Sequence, residues 1–443
     1  MRSVEEQQAR VSAAAVAPRP VRVAIAEAQG LMCAEEVVTE RPLPGFDQAA
    51  IDGYAVRSVD VLGVGEPGSS HDHGDGAADD DARALGAVPG EAGETASGPG
   101  VVTLPVMGTI EAGARTPSRL QPGQAARVMT GAPLPTLADA VLPLRWTDGG
   151  QSRVRVLRGV RSGAYVRRTG DDVQPGDVAV RAGTIIGAAQ VGLLAAVGRD
   201  RVLVHPRPRL SVLAVGGELV DVSRTPGNGQ VYDVNSYALA AAARDAGAEV
   251  NRVGIVGNDP QQLGEVVEGQ INRAEIVVIA GAVGGAAAEA VRSVLGQLGE
   301  MEVTRVAMHP GSVQGFGQLG REGVPTFLLP ANPVSALVVF EVMVRPLIRL
   351  SLGKRQPMRR VVQARTLSPI TSVPGRKGYL RGQLMRDQDT GEYLVQALGG
   401  AAGASSHLLA TLAEANCLVM VPREAEQIRT GEIVDVAFLA QRG

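Results

Sequence analysis

The segment RLSVLAV, Arg209–Val215, is a nearly unbroken apolar run that ends at Gly216, and it predicts a buried strand. It begins an alternation of strands and helices that continues through residues 208–353. The predicted elements are, in order, NSYALAAAARDAG (helix), VNRVGIV (strand), DPQQLGEVVEGQIN (helix), EIVVIAG (strand), AAAEAVRSVLGQLG (helix), VTRVAM and TFLLP (strands) and PVSALVVFEVMVRPLIRL (helix). Such an alternation predicts a three-layer α/β domain, with helices on both faces of a mostly parallel sheet.

The flanking sequence has a different pattern. Residues 3–30 show helical spacing, and short β-type runs between Gly and Pro turns occupy residues 43–168, which predicts a small β domain. A last β-type unit covers residues 354–443. The sequence therefore predicts a multidomain α/β plus β fold, with β domains on either side of the α/β domain.

Residues 63–100 interrupt the first β region with a run of Gly, Ala and Asp that contains almost no large apolar residue. This composition predicts a disordered acidic surface insertion. His71, Asp72, His73 and Asp75 lie close together in this run and are candidate ligands of a transition metal. Metal sites need fixed ligand geometry, so a solvated loop is the favoured alternative to a metal site.

Composition excludes several classes of protein. The net charge of -3 over 443 residues argues against a nucleic-acid partner, which would require a basic excess. Cys33 and Cys417 lack the spacing of a disulfide framework or a zinc site. The N-terminus has no apolar core of a signal peptide, and the longest apolar segments are too short or carry charges. We therefore expect a cytoplasmic protein without a membrane span.

Three loops of the α/β domain follow predicted strands: residues 216–220, 281–285 and 329–336. In the last of these, Asn332 is a candidate helix cap and Pro333 a candidate first helical residue. Exposed N–H groups at such loops favour a phosphate or another oxyanion. Glycines at strand ends are also common as simple tight turns, and the loop GAVGG alone does not decide between the two interpretations.

Seven motifs occur in the order and spacing of one family: LPGFDQAAIDGYAVR (43–57), RVMTGAPLP (127–135), TGDDV (169–173), GGEL (216–219), GQVYDVNS (229–236), VGNDP (256–260) and LPANPVSA (329–336). The chain resembles the molybdopterin molybdotransferases, the family of MoeA and the gephyrin E domain, over nearly its whole length.

The resemblance implies an elongated four-domain subunit in a homodimer. The domains would be residues 1–42 with 169–207, then 43–168, 208–353 and 354–443. It also implies a reaction in which molybdate attacks adenylated molybdopterin and AMP leaves, with Mg²⁺ assisting. The active site would lie in a cleft between the α/β domain of one subunit and the β domain of the other.

Site residues are carried over at the positions that match the family's motifs. The resemblance implies catalytic roles for Asp52, Glu218, Asp233 and Glu289, and metal binding by Asp259 and Glu218. It implies substrate binding by Thr130, Asp172, Gly281, Gly284, Gly285, His309, Ser312, Asn332, Pro333 and Ser335.

The sequence departs from the family where anion-binding charge is expected. His309 and Ser312 stand in HPGSV in place of two lysines, Gly217 replaces an Asp, and Ala331 replaces a Gly. Glu289 is the nearest carboxylate after the glycine loop, and it also suits the first turn of a helix without any function. Arg292 is a candidate replacement cation or an exposed partner of Glu289.

Two hypotheses follow from these departures. The chain is a molybdopterin molybdotransferase, or it is a degenerate dimeric scaffold that binds a short peptide of a cytoskeletal or membrane-associated partner, as the related gephyrin domain does. Loss of pocket lysines favours the scaffold. Retention of the carboxylates favours the enzyme, because acids without a function would be costly to bury.

Overall fold

The structure is a computed structural model that describes residues 1–65, 101–115, 118–257, 259–284, 287–398 and 409–439. The chain divides into two compact units. The first comprises Met1–Val23, Gly30–Ala34 and Leu203–Gly443, and the second comprises Ala24–Gln29 and Glu35–Val202. The finer division into four domains stays a prediction.

The α-helices of the described residues are α1 (Val4–Ala13), α2 (Ala188–Ala196), α3 (Asn235–Ala246), α4 (Pro260–Ile271), α5 (Ala287–Leu298), α6 (Pro333–Val339), α7 (Arg345–Ser351) and α8 (Leu409–Glu414). A π-helical turn, Phe340–Val344, joins α6 to α7. Short 3₁₀ turns span Ile25–Glu27, Ser58–Asp60 and Leu144–Trp146.

The strands up to residue 205 are β1 (Val21–Ala24), β2 (Met32–Cys33), β3 (Val37–Val38), β4 (Gln48–Ala49), β5 (Gly53–Val56), β6 (Val102–Ile110), β7 (Ala125–Val128), β8 (Ala140–Pro143), β9 (Arg153–Val156), β10 (Val166–Arg167), β11 (Val178–Val180) and β12 (Arg201–His205). Those of the α/β region are β13 (Arg209–Val215), β14 (Leu219–Val220), β15 (Val231–Tyr232), β16 (Glu249–Val256), β17 (Ile276–Ala280), β18 (Gly299–Arg305), β19 (Met308–His309), β20 (Val313–Leu319) and β21 (Val324–Leu329). The C-terminal strands are β22 (Val361–Thr366), β23 (Ile370–Thr371), β24 (Lys377–Arg386), β25 (Tyr393–Ala397), β26 (Cys417–Val421), β27 (Gln427–Ile428) and β28 (Ile433–Phe438).

The centre of the first unit is a six-stranded sheet in the order β16-β13-β17-β21-β20-β18. The first four strands are parallel, whereas β20 and β18 pair antiparallel. The prediction of a mostly parallel α/β sheet is therefore confirmed.

Helices cover both faces of this sheet. Leu210 and Val212 of β13 point into a core that includes Leu239 of α3, and Leu213 and Val215 point into a second core. That second core contains residues of α4 and α5: Leu263, Val267, Ile271, Val291 and Leu295. The alternation along β13 follows from the period of two in a strand.

Strand β20 was not predicted, because its sequence VQGFGQL is rich in glycine. The glycines are needed for close packing. A β-carbon on Gly317 would lie 2.0 Å from the carbonyl oxygen of Glu300, and one on Gly315 would lie 2.8 Å from Leu328 Cβ. Glycine here marks close approach of neighbouring chains rather than a loop.

The predicted N-terminal helical region, residues 3–30, is wrong in extent. Helix α1 begins after Ser3, whose side chain forms a capping box with Glu6, and it ends at Ala13. Strand β1 follows from Val21. Pro18 and Pro20 lie between the two elements, where the ring would break a helix.

The second unit is built around a five-stranded sheet in the order β8-β5-β7-β6-β9, so the predicted small β region is confirmed. Its core includes the fully buried Tyr54 and Leu142. Most of the predicted insertion, residues 66–100 with His71, Asp72, His73 and Asp75, lies outside the described residues.

The C-terminal β prediction is also confirmed. Six strands pair in the order β19-β24-β25-β22-β28-β26, and β26 also pairs with β24, which closes the sheet on itself. Strand β19 joins it in parallel with β24, with His309 opposite Gly378. Among the described residues no helix is long and apolar enough to cross a bilayer.

Candidate functional site

Four loops meet at the carboxyl edge of the parallel strands. Val215 of β13 is in register with Val256 of β16, and Ala214 is in register with Ala280 of β17. Ala280 in turn pairs with Leu329 of β21. The described residues that follow, 216–218, 257, 281–284 and 330–332, therefore leave the sheet side by side. Ligands of open α/β sheets bind at such an edge.

Gly281 lies between two of these strands. Its N–H donates to the carbonyl oxygen of Leu329 at 3.1 Å, and its φ of +87° is in the left-handed region. A β-carbon there would lie 2.3 Å from the carbonyl oxygen of Val215. Gly284 is exposed, with open space beside its Cα, and Gly285 lies outside the described residues.

The two proline-headed helices at this edge have side-chain caps. Asp259 Oδ1 accepts from the N–H of Gln262 at 2.8 Å, and Asn332 Oδ1 accepts from the N–H of Ser335 at 3.0 Å. Pro333 is the first residue of α6, as predicted. Capping accounts for both Asp259 and Asn332 structurally and leaves the second carboxylate oxygen of Asp259 available.

Strands β14 and β15 pair in parallel and form a two-stranded ribbon. Glu218 directly precedes β14 and Asp233 directly follows β15, but the two side chains differ in exposure. Glu218 is exposed, with its carboxylate 2.8 to 3.0 Å from the position of a β-carbon on Gly216. The Asp233 side chain is 0% exposed and accepts hydrogen bonds from the backbone N–H and the hydroxyl of Ser236. Of the two carboxylates, only that of Glu218 faces solvent.

Glu289 lies in the first turn of α5 and is highly exposed. Its Oε2 is 3.3 Å from Nη2 of Arg292, one turn along the helix. Exposed pairs of this kind decorate many helices and stabilise them little.

The 309–312 loop packs against α6, next to the capped end at Asn332. A β-carbon on Gly311 would lie 2.3 Å from Val339 Cγ2 and 3.3 Å from the carbonyl oxygen of Ser335. The Ser312 carbonyl accepts from the N–H of Val306 at 2.8 Å. The loop expected to bind anions is thus fixed by glycine and backbone contacts beside the edge of the sheet.

His309 carries less positive charge than the sequence suggested. Burial lowers the pKa of its imidazole, and the neighbouring Arg376 lowers it further. A bound anion would shift this pKa in the opposite direction, because it favours the protonated imidazole. Arg376, on the turn before β24, is the cation that sequence reasoning missed, because only the pairing of β19 with β24 brings it to His309.

Asp52 and Thr130 are in direct contact in the second unit. Asp52 Oδ1 accepts from the Thr130 N–H at 2.8 Å and from its hydroxyl at 2.7 Å, and these bonds lower the pKa of Asp52. The same arrangement recurs where Asp47 Oδ1 accepts from the N–H and hydroxyl of Thr169, both at 2.8 Å. The Thr-Gly dipeptide common to both turns was the available signal for the second pair.

Asp172 lines an open cleft of about 590 Å³ in the same unit. Phe46 and Arg167 also line it, together with Leu43, Pro44, Gly45, Gln48 and Asp171. The structure therefore places Asp52, Thr130 and Asp172 in one unit and the other predicted site residues that it describes in the other unit.

Three family models match the chain. The MoeA N-terminal region (domain I and II) matches residues 2–198, the "probable molybdopterin binding domain" matches residues 211–350, and the MoeA C-terminal region (domain IV) matches residues 363–439.

Individual relatives are similar over their full length. The chain is 84% identical over 446 residues to molybdopterin molybdenumtransferase 1 of Mycobacterium tuberculosis (strain H37Rv), with 100% of each chain covered. It is 36% identical to molybdopterin molybdenumtransferase 2 of the same strain, covering 98% of this chain and 99% of the relative. A crystal structure of the MoeA protein from Pyrococcus horikosii superposes with a TM-score of 0.76 at 28% identity, covering 98% of each chain.

Proposed function

Because the chain belongs to the MoeA family, we propose that it is a molybdopterin molybdenumtransferase, which inserts molybdate into adenylated molybdopterin and releases AMP. The observation that carries this proposal is the alignment of four loops at one edge of the parallel sheet. The full-length similarity to a molybdenumtransferase supports the enzyme over a peptide-binding scaffold.

The glycine loop that begins at Gly281 would take the phosphate of the substrate. Backbone N–H groups after a strand bind oxyanions without a side chain, and the exposed Gly284 leaves room for close approach. This loop would hold the nucleotide while Asn332, Pro333 and Ser335 shape the neighbouring wall.

Positive charge for the anionic substrate would come from His309 and Arg376. Arg376 would supply a guanidinium, whereas burial lowers the pKa of His309 and a bound anion would favour its protonated form. Together they would partly replace the two lysines that the family pattern leads us to expect at His309 and Ser312.

Glu218 is proposed to orient the molybdate oxyanion, and the buried Asp233 to position the ribbon that carries it. Glu218 and Asp259 follow the register partners Val215 and Val256, so they are the candidate ligands of Mg²⁺. Among the described residues no three His, Cys, Asp or Glu side chains converge. Two carboxylates fit an ion that completes its coordination with water and phosphate oxygens. When bound, Mg²⁺ would offset phosphate charge as AMP leaves.

We also propose a cytoplasmic homodimer, in which Asp52 is a catalytic residue and Thr130 and Asp172 bind substrate. Sedimentation of the purified protein at micromolar concentration tests the assembly. A dimer supports it, and a monomer contradicts it.

The proposed activity is tested by expressing the chain in a strain that lacks its own molybdotransferase. Restored molybdoenzyme activity is the expected result. Expression of folded protein without restored activity would contradict the proposal and favour the scaffold.

A further inference from the structure

Arg252 lies on β16, the edge strand of the six-stranded sheet, and its guanidinium joins two other segments. Nη1 donates to the Ser236 hydroxyl at 3.1 Å, and Nη2 lies 3.6 Å from Asp221 Oδ2. Its Cζ lies 3.9 Å from the centre of the Tyr237 ring. The side chain is 29% exposed, so these contacts are partly shielded from water.

A β-bulge sets the place of this arginine. Arg252 pairs with Val212 of β13, but the next pair is Gly254 with Leu213, which leaves Val253 as an extra residue. Val250 packs into the core that contains α3, whereas Val256 belongs to the core that contains α4, so the bulge reverses the alternation. Bulges commonly redirect side chains next to functional sites.

Gly254 permits both the backbone conformation of the bulge and the position of the Arg252 guanidinium. Its φ is +91°, and a β-carbon there would lie 3.5 Å from Arg252 Nη1. The backbone conformation is therefore suited to glycine, and the guanidinium lies over it.

Asp221, the carboxylate that pairs with Arg252, is held in place by its own hydrogen bonds. Asp221 Oδ1 accepts from the N–H and hydroxyl of Ser223 at 3.0 and 2.8 Å, and Oδ2 accepts from the Tyr237 hydroxyl at 3.0 Å. These bonds, led by that of the Ser223 backbone, lower the pKa of Asp221. An ionised Asp221 and a stacked Arg252 form one network with Tyr237.

This network contacts the ribbon that carries Glu218 just beyond the carboxyl ends of both its strands, β14 and β15, which run parallel. The N–H of Val231 donates to the Glu218 carbonyl at 2.9 Å, and the N–H of Asp233 donates to the Val220 carbonyl at 2.9 Å. Asp221 directly follows β14, while Ser236 and Asp233 follow β15. Arg252 Nη1 is also 4.0 Å from Asp233 Oδ2.

We infer that Arg252 is a positioning residue for the transfer reaction. It fixes the β14–β15 ribbon against strand β16 of the six-stranded sheet and so sets the orientation of Glu218. The inference rests on the proposed function, because Glu218 is assigned a role there. Arg252 acts through Asp221 and Ser236 and touches no substrate.

The test compares Arg252→Gln and Arg252→Lys by the kcat and KM of AMP release from adenylated molybdopterin with molybdate. Arg252→Gln is expected to lower kcat by about tenfold and to change KM by less than about threefold, because the phosphate-binding loop is untouched. Arg252→Lys should give an intermediate kcat, since an ammonium keeps the charge but cannot reproduce the planar fork.

Arg209→Gln is the matched control. Arg209 lies on neighbouring β13, at the other end of the strand from Gly216, and pairs with Glu275. The kcat of the Arg209→Gln variant should equal that of the unaltered protein. A similar kcat loss in Arg209→Gln, or an unchanged kcat in Arg252→Gln, would overturn the inference.

Should Arg252→Gln fail to fold, Tyr237→Phe decides, because it removes only the hydroxyl that donates to Asp221. A lower kcat at an unchanged melting temperature supports the inference, and an unchanged kcat overturns it. Absence of AMP release from the unaltered protein would instead contradict the proposed function itself.

Discussion

Gly281 and Val215 are in contact across neighbouring strands: a β-carbon on Gly281 would lie 2.3 Å from the Val215 carbonyl oxygen. The same residue has a φ of +87°. The turn into the proposed phosphate loop therefore requires glycine for two separate reasons, space and backbone conformation.

We predict that Gly281→Ala lowers the free energy of unfolding by about 2 to 4 kcal/mol, from strain and overpacking. Urea denaturation measures this loss. Gly284→Ala is the control in the same loop, since no atom of the described residues lies within 4 Å of its added carbon. It should change stability by less than about 0.5 kcal/mol. Equal effects of the two substitutions would show that the loop geometry is wrong.

The fold was largely predictable, because the spacing of apolar residues and the residues that begin or end each helix and strand are local features of the sequence. The run Arg209–Val215, the cap Asn332 and the order of strands and helices could be identified without knowledge of distant contacts. Strand β20 was missed, since its glycines serve contacts with distant segments. Two other features depend on strand pairing, which local sequence does not encode. They are the position of Arg376 beside His309 and the bulge after Arg252.

Asp259 offers a way to separate capping from metal binding. Asp259→Ala should cost about 1 kcal/mol of stability, because the N–H of Gln262 loses its acceptor. Asp259→Asn keeps an acceptor and should preserve stability, but it removes the charge that Mg²⁺ would need. We therefore predict that Asp259→Asn raises the Mg²⁺ concentration required for half-maximal AMP release. An unchanged Mg²⁺ requirement would exclude Asp259 as a ligand.

His309 predicts a pH dependence of stability. Its pKa in the folded protein lies below the ordinary 6.5, with burial as the main cause. Well above pH 6.5 both states are neutral at this residue. As the pH falls through 6.5, the unfolded chain binds the proton more readily, so stability falls as pH falls towards the folded pKa. His309→Gln should lose less stability between pH 7 and pH 5.5 in urea titrations. If stability falls equally with pH in His309→Gln and in the unaltered protein, His309 is not the source of this pH dependence.

Restoring lysines tests whether the 309–312 loop still binds anions. His309→Lys with Ser312→Lys should tighten AMP binding by up to about 3 to 6 kcal/mol, and added salt should weaken the gain. Isothermal titration compares the double variant with the unaltered protein. Unchanged or weaker binding by the double variant would show that the loop no longer faces the nucleotide.

We expect this chain to transfer molybdenum although His309 and Ser312 replace the expected lysines. The most direct measurement is a single-turnover reaction of the purified protein with adenylated molybdopterin, molybdate and Mg²⁺, followed by quantification of AMP. We predict AMP release that depends on molybdate and that falls in Glu218→Gln. Folded protein that binds the adenylated pterin but releases no AMP with molybdate would contradict the account.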